Sequence, residues 1–213
     1  MQKFRQKFTL AALALALTLS LGLLARPALA VDAWLQPSVE KLMSWGVLSG
    51  YADGDLHINA PISRAEFTAM VNRAYGYDET SPTPFTDVST AAWYAEDIAI
   101  GYATGYFKGS SETMAEPENS LTREQAITVL ARNLRLEEAA GEVTNFRDGH
   151  DFASWSRGYI KTAVNRGLVN GYEDGSFRPA SDITRGEKSK LLSDAIGTLV
   201  DTEGTNDLGS VWG

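Results

Sequence analysis

Three arginines occupy matching places in three short motifs of this chain. The motifs read Ser63-Arg64-Ala65-Glu66, Thr122-Arg123-Glu124-Gln125 and Thr184-Arg185-Gly186-Glu187. A hydroxyl residue followed three positions later by Glu or Gln is the signature of a capping box, in which the two side chains satisfy amides at the start of a helix. Helix stability therefore explains the outer residues of each motif without any appeal to function. These predicted caps are Ser63, Glu66, Thr122, Gln125, Thr184 and Glu187.

Capping does not explain the arginine between them. A cation at the first helical position opposes the positive end of the helix dipole, which costs ~0.3–1 kcal/mol where the residue is exposed. Arg64, Arg123 and Arg185 therefore suggest an anion held jointly by the guanidinium and the helix N-terminus, and the guanidinium fork suits a carboxylate. Two alternatives stay open. Each arginine either pairs with an acid of another copy, such as Asp87 or Asp148, or is solvated.

The three motifs end a longer internal repeat. With Trp34, Trp93 and Trp155 as origins, the copies align without an insertion as far as the capping box. Such self-similarity indicates a repeat architecture. The matching positions along the repeat hold Val39, Ile98 and Ile160; Gly46, Gly105 and Gly167; Gly50, Gly109 and Gly171; and Ile62, Leu121 and Ile183. Copies two and three also share Phe85-Thr86-Asp87 and Phe146-Arg147-Asp148 upstream.

Each copy is predicted to form a helix, a glycine loop and a second helix. In copy one, Trp34, Val39, Leu42 and Met43 fall on one face of the first helix, and Gly46 ends it with a positive φ. The equivalent helices are predicted over 93–104 and 154–166. The loop carries an Asp-Gly turn in two copies, as Tyr51-Ala52-Asp53-Gly54 and Tyr172-Glu173-Asp174-Gly175, whereas copy two has Gly109-Ser110-Ser111.

The second helices are predicted to bury pairs of apolar residues at equal offsets. These are Met70 and Val71, Val129 and Leu130, and Leu191 and Leu192. One helix pair of this size cannot bury its apolar face, but three copies packed together can. The sequence therefore predicts one all-α unit.

The ends of the chain differ from the repeats. Residues 1–30 combine basic residues, an apolar run from Phe8 to Leu24 and the small-residue site Ala28-Leu29-Ala30, which predicts a secretory signal cleaved after Ala30. An uncleaved membrane anchor is the alternative. The predicted organisation is a signal at 1–30, copies at 31–77, 85–136 and 146–200, and a tail or linker at 201–213.

Composition excludes several kinds of chemistry. The chain has no cysteine, so a disulfide, a thiolate zinc site and a thiol nucleophile are excluded. Its net charge of −8 makes nucleic acid and anionic lipid poor partners. His57 and His150 occupy unmatched places, so neither a repeated metal site nor a catalytic triad is visible, and Asp53-Gly54-Asp55 lacks the ligand pattern of an EF-hand. We expect no enzyme activity, no cofactor and no metal.

The repeated motifs resemble those of the S-layer homology domain family, whose copies combine Phe-x-Asp, a tryptophan, Gly-x-x-x-Gly-Tyr with Asp-Gly, and Thr-Arg-Ala-Glu. Copy three matches from Phe146 to Glu187, with Gly186 in place of the alanine. Copy two departs at Ser110 and Gln125, where the family pattern has Tyr and Glu. The resemblance covers residues 31–200.

The resemblance implies a pseudo-threefold, spindle-like arrangement with ligand grooves between the copies. It also implies non-covalent anchoring of a secreted, cell-surface protein to a secondary cell-wall polysaccharide, often a pyruvylated one, with no membrane contact after signal cleavage. In that case Arg64, Arg123 and Arg185 would take the pyruvyl carboxylate, and Gly50, Gly109 and Gly171 would let the sugar approach. Tyr51, Tyr172, Trp34, Trp93 and Trp155 would form walls, although the tryptophans could instead belong to the core.

Two other functions remain as alternatives. One is protein–protein assembly within a surface layer, through self-association or contact with other S-layer proteins. The other is an envelope glycoside hydrolase, whose paired carboxylates the sequence cannot select among so many acids. The chain could be complete or the N-terminal part of a larger exported protein.

Overall fold

The structure, a computed structural model, describes residues 31–203, and side chains as far as residue 197. The predicted signal and residues 204–213 of the predicted tail lie outside the described residues. The described range contains six α-helices and no sheet, which confirms the predicted all-α class. They are α1 Gln36–Ser44, α2 Arg64–Tyr75, α3 Ala95–Thr104, α4 Arg123–Asn133, α5 Ser154–Asn165 and α6 Arg185–Glu203. Helix α6 thus continues past Val200, where the sequence periodicity ends.

The second helix of each copy starts at a capping box. Ser63 Oγ accepts a hydrogen bond from the Glu66 amide, and the Glu66 carboxylate accepts one from the Ser63 amide. Thr122 with Gln125 and Thr184 with Glu187 make the same reciprocal bonds. The helices therefore begin where local side-chain chemistry specifies.

The first helices end in a left-handed glycine, as the sequence predicts. Gly46, Gly105 and Gly167 have φ of 69°, 83° and 69°. Within α1, Val39 and Leu42 are buried as predicted. Trp34 and Met43 are not, with 55% and 41% of their surfaces exposed. Since α1 begins only at Gln36, Trp34 precedes the helix and is not carried on its buried face.

The predicted apolar pairs of the second helices lie in the core with one exception. Val129 is half-buried, whereas the others are buried: Met70, Val71, Leu130, Leu191 and Leu192. Burial of these pairs is made possible by cyclic packing. Each second helix packs against the first helix of the next copy, α2 on α3, α4 on α5, and α6 on α1. The last of these pairs joins the end of the repeat region to its beginning, so the three copies close on one another.

A ring of backbone contacts joins the copies where the second helices start. Antiparallel bridges pair Ser63 with Ser120, Thr122 with Asp182, and Thr184 with Pro61, at equal offsets in each copy. The first two amides of each second helix donate to carbonyls of the next copy: Arg64 to Asn119, Ala65 to Pro117, Arg123 to Ser181, Glu124 to Pro179, Arg185 to Ala60 and Gly186 to Ile58. The third amide is taken by the cap. Helix amides normally left without a partner are thus satisfied within the protein.

Candidate ligand-binding grooves

The arginine that follows each N-cap residue, here called the cap arginine, contacts the glycine loop of the next copy. These contacts define three grooves. The Arg64 groove contains Arg64 and the loop at 108–116. The Arg123 groove contains Arg123 and the loop at 170–178. The Arg185 groove contains Arg185 and the loop at 49–57. In each groove the arginine Nη2 donates to the carbonyl just before the loop glycine: Lys108 at 2.9 Å, Asn170 at 2.8 Å and Ser49 at 2.9 Å.

The arginines are neither solvated nor paired with the acids considered above. Their exposed fractions are 7%, 9% and 8% for Arg64, Arg123 and Arg185, so the solvated alternative is wrong. Asp87 and Asp148 instead accept hydrogen bonds from backbone amides of their own copies. The arginines do tie neighbouring copies together, but mainly through carbonyl oxygens. The helix amides are already bonded, so they are not free to hold an anion beside the guanidinium.

The three guanidinium groups differ in how many protein partners they have. Arg64 Nε donates to the Ala115 carbonyl at 2.8 Å. Arg185 Nη1 contacts the Tyr51 hydroxyl at 3.0 Å and the Glu66 carboxylate at 3.4 Å. Arg123 donates to Asn170 alone among the described residues, and its Nε, like that of Arg185, is buried without a hydrogen-bond partner. Arg123 therefore keeps the most hydrogen-bonding capacity for a ligand.

A tyrosine–glutamate pair links the loop to the second helix in two of the grooves. The Tyr51 hydroxyl donates to Glu66, and the Tyr172 hydroxyl donates to Glu187 at 3.0 Å. Burial raises the pKa of Tyr51 to about 12, and the bond to Glu66 adds to the shift. The guanidinium carbon of Arg185 lies 4.7 Å from the centre of the Tyr51 ring, and that of Arg123 lies 4.9 Å from the Tyr172 ring. The pair thus helps to hold each arginine in place.

The Arg64 groove lacks this pair at both positions. Ser110 and Gln125 occupy the matching sites, and the Ser110 hydroxyl donates to the Met114 carbonyl of its own loop at 3.3 Å. Arg64 lies instead over the Phe107 ring, 5.2 Å from its centre. The two departures seen in the sequence of copy two are therefore a single structural difference. Sequence alone did not reveal that these two positions touch.

The Arg123 groove opens into a cavity of about 690 Å³ to which all three copies contribute. It brings together five predicted site or cap residues: Trp34 from copy one, Arg123 from copy two, and Gly171, Tyr172 and Glu187 from copy three. Two further cations, Arg178 and Lys190, also line it and were missed by the sequence analysis. They stand at positions that copies one and two fill differently, so the repeat alignment gave no signal for them.

The tryptophans lie at the surface and not in the core. Trp34, Trp93 and Trp155 have 55%, 62% and 44% of their surfaces exposed. Trp34 lines the 690 Å³ cavity, and the other two do not. An exposed indole can stack on a sugar ring, so Trp34 fits the predicted role of a wall.

Close packing accounts for two of the three loop glycines. A Cβ on Gly109 would stand 2.3 Å from the Met114 carbonyl oxygen, and one on Gly171 would stand 2.5 Å from the Phe146 ring. At Gly50 the nearest atom, the Asp55 oxygen, is 3.3 Å away. Approach of a sugar is therefore not needed to explain glycine at 109 and 171, whereas packing alone does not require glycine at 50.

The aspartate of the Phe-x-Asp motif clasps the glycine loop. The Asp148 carboxylate accepts bonds from the amides of Phe177 at 2.8 Å and Arg178 at 2.7 Å, and Asp87 does the same for Ala115 and Glu116. Burial acts to raise the pKa of both aspartates, but these amide bonds bring it below the ordinary value. Copy one has no Phe-x-Asp, and there Asp55 accepts from the His57 amide at 2.8 Å. The clasped residues share a left-handed backbone: Glu116, Arg178 and His57, with φ of 49°, 58° and 46°.

The described residues offer neither a metal site nor a membrane-spanning helix. That part of the chain holds no group of three His, Cys, Asp or Glu placed to bind a metal ion. None of its helices is long and apolar enough to cross a membrane.

Comparison with known proteins identifies the family. A family model described as the S-layer homology domain matches residues 30–68, 84–127 and 145–187. The chain is 32% identical to an amylopullulanase of Thermoanaerobacterium thermosulfurigenes, over 76% of this chain and 9% of that protein. It is 30% identical to the surface-layer 125 kDa protein of Lysinibacillus sphaericus, over 78% and 14%. It is 29% identical to a cellulosome-anchoring protein of Acetivibrio thermocellus, over 70% and 35%.

The chain thus spans between 9% and 35% of the length of these three relatives. The three segments matched by the family model cover more than half of the chain, in register with the three copies. The chain belongs to the S-layer homology domain family.

Proposed function

We propose that this chain is a non-catalytic, cell-surface module that anchors to the bacterial cell envelope by binding an acidic secondary cell-wall polysaccharide. Membership of the family supports anchoring, as do relatives named as a surface-layer protein and a cellulosome-anchoring protein. The observation that carries the polysaccharide part is the open Arg123 groove. It presents an incompletely satisfied guanidinium beside an exposed tryptophan in one cavity.

The groove offers a separate role to each of its side chains. Arg123 would donate to the carboxylate of a pyruvyl ketal. Arg178 pairs with Asp174 at 2.9 Å and Lys190 pairs with Asp194 at 2.8 Å, so neither is counted as a free charge for the ligand. The exposed face of Trp34 would stack on a sugar ring, since aromatic surface with a few placed polar groups is typical of ligand sites. Arg64 and Arg185 are proposed as weaker sites, because more of their donors are bonded within the protein.

Relatives named as enzymes do not extend this proposal to catalysis. The amylopullulanase is matched over 9% of its length, and an endoglucanase of a Bacillus species is matched over 17% of its length at 26% identity. The activities in those names therefore stay with those proteins. In this proposal the present chain supplies attachment and no reaction step.

The test is calorimetric titration of the chain with purified cell-wall polysaccharide, before and after chemical removal of its pyruvyl groups. We expect binding to the native polymer and at least a tenfold loss after removal of the ketal. Arg123→Gln and Trp34→Ala should each weaken binding, whereas Trp93→Ala is the matched control, because Trp93 is exposed but lies outside the cavity.

Equal affinity for the two polymers would contradict the carboxylate mechanism. Binding of neither polymer, together with concentration-dependent oligomers in sedimentation, would favour the surface-layer assembly function. Circular dichroism of each variant separates loss of binding from loss of fold. Arg123 needs this check, because it also bonds the Asn170 carbonyl of the next copy.

A further inference from the structure

A second cavity of about 410 Å³ lies beside the Arg64 groove. Its charged lining differs from that of the 690 Å³ cavity of the Arg123 groove. Three cations line it, Lys108, Arg132 and Arg135, together with Tyr159 and the acids Glu137 and Glu138. None of these residues was singled out from the sequence as a binding residue. We propose that this cavity binds a phosphate-bearing anion, at a site distinct from the carboxylate site of the Arg123 groove.

Comparison of matching positions in copies two and three shows which residues make this cavity cationic. Counted from the tryptophan of each copy, Lys108 matches Asn170, and Arg132 matches Asp194. In copy three Asp194 pairs with Lys190 at 2.8 Å. Copy two therefore places two positive charges where copy three has an amide and an acid. The two cavities share a backbone frame, but at these two matching positions a neutral amide and an acid in one are replaced by two cations in the other.

Arg135 takes a backbone conformation that usually calls for glycine. It has φ of 52°, and its match in copy one is Gly76, with φ of 65°. Both residues end a second helix with the same bonds: Arg135 donates to the Arg132 carbonyl, Gly76 to the Arg73 carbonyl, and the residues after them to Ala131 and Asn72. Glycine adopts this left-handed conformation without strain, whereas arginine does not. Strain of this kind is typical of positions where a side chain has a function.

The three cations have no acidic partner within the described residues. None lies within 4.0 Å of a carboxylate oxygen, although Glu137 and Glu138 share the cavity lining. Arg132 lies 5.3 Å from the centre of the Tyr159 ring, and its Nε is buried without a hydrogen-bond partner. In a chain of net charge −8, three neighbouring cations outside any ion pair, against two acids in the same lining, point to a ligand that carries negative charge.

The arrangement of the cations favours phosphate over carboxylate. They come from three places: the loop after α3, the last turn of α4, and the residue that closes that turn. A carboxylate presents two oxygens in one plane, which one arginine fork can satisfy, whereas a phosphate directs oxygens toward several donors at once. Tyr159 would then contact whatever group the phosphate is attached to.

The test is an amide NMR titration of the chain with inorganic phosphate, and separately with acetate, at constant ionic strength. We expect phosphate to shift the amides of residues 105–108 and 132–138, with acetate at least fivefold weaker. Arg135→Gly should weaken phosphate binding at least fivefold. It should also leave the thermal midpoint unchanged or raised, since glycine suits this backbone as it does at Gly76. Arg132→Gln should weaken binding in the same way.

The matched control is Arg166→Gln, which removes an exposed charge at the end of α5 that lines neither cavity. It should leave phosphate binding unchanged. Shifts spread over surface cations, or an unaltered affinity in Arg135→Gly, would overturn the proposal. The site is also separable from the proposed polysaccharide site. Arg135→Gly should keep pyruvyl-dependent polymer binding, and Trp34→Ala should keep the phosphate shifts.

Discussion

The Arg123 groove and the Arg64 groove have the same frame and different side chains. In both, a cap arginine donates to a loop carbonyl, and an aspartate clasps the loop by two amides. Four matching positions around the openings differ: Tyr172 and Ser110, Glu187 and Gln125, Asn170 and Lys108, and Asp194 and Arg132. The repeated residues thus build the protein. The proposed ligand contacts of Arg123 and Trp34 use repeated positions, whereas the charge around each opening depends on residues that are not repeated.

The largest expected effect is on stability, and it comes from replacing the loop glycine of copy two, Gly109. Gly109→Ala would bring a Cβ within 2.3 Å of the Met114 carbonyl oxygen, which is backbone and cannot turn away. We expect a loss of about 3 kcal/mol in the free energy of unfolding, measured by urea denaturation. The matched Gly50→Ala, with its nearest atom at 3.3 Å, should lose less than about 1 kcal/mol. Equal losses would mean that the two loops are packed alike.

The second prediction concerns Lys188, a buried position at which the three copies carry different residues. Lys188 is fully buried, its Nζ donates to the Ile62 carbonyl at 3.1 Å, and copies one and two have Phe67 and Ala126 at this position. Burial lowers the pKa of Lys188 to about 6, against the partly opposing charges of Glu66, Asp182 and Glu187, while Arg64 lowers it further. The lysine thus weakens a core that the other copies fill with apolar side chains.

Lys188→Met should raise the free energy of unfolding by about 1–3 kcal/mol at pH 7, because burial holds the folded lysine largely deprotonated at a cost that an apolar side chain does not have. The folded pKa lies below the unfolded one, so the unfolded chain binds more protons between about pH 6 and 10 and stability rises with pH in this window. Denaturant midpoints should therefore rise from pH 7 to pH 9 in the unaltered protein and less so in the variant. If the denaturant midpoint rose equally with pH in both proteins, the lowered pKa would not belong to Lys188.

The third prediction concerns a double variant that gives the Arg123 groove two residues of the Arg64 groove. Tyr172→Ser combined with Glu187→Gln gives the Arg123 groove the pair found in the Arg64 groove. We expect about a tenfold loss of polysaccharide affinity, equivalent to about 1.4 kcal/mol, because Arg123 loses one of the two rings that pack against it. Co-sedimentation with cell-wall sacculi measures this loss.

Helix α6 should survive that change, because Gln125 completes the same capping box in copy two. The reverse pair, Ser110→Tyr with Gln125→Glu, is the matched control and should not weaken binding. If the converted groove bound the polymer as tightly as before, the proposed specificity of the Arg123 groove would be wrong.

The smallest expected effect lies where the two grooves are alike. Asp87→Asn and Asp148→Asn should each lower stability by about 0.5–1 kcal/mol at pH 7, since each carboxylate accepts two amide bonds at a partly solvent-screened site. Their folded pKa values are depressed, so this contribution is present above the ordinary value of 3.8 and is lost at lower pH. Thermal melts at pH 7 and pH 2.5 test it. Unequal losses would show that the two frames differ.

Local signals predicted the helices well. Capping boxes fix where the second helices begin, and left-handed glycines fix where the first helices end, because both depend on neighbours in sequence. The exposure of Trp34 was ambiguous, since a periodic pattern does not show that the helix begins two residues later. The partners of Arg64, Arg123 and Arg185 depend on the cyclic order of the copies and could not be predicted from spacing. Arg135 and Lys188 differ from the residues at the matching positions of the other copies. An alignment of the copies identifies what they share, so it could not predict a role for either residue.

The backbone ring also sets the order in which the protein can be completed. The carbonyls of Ile58 and Ala60 receive their bonds from the amides of Gly186 and Arg185, at 2.9 Å each. Copy one is made first, but these acceptors wait until the start of α6 has been synthesised. Such long sequence separation slows folding. The ring therefore closes only once the third copy is present, and a fragment that stops before residue 185 would lack the amide donors for these two carbonyls.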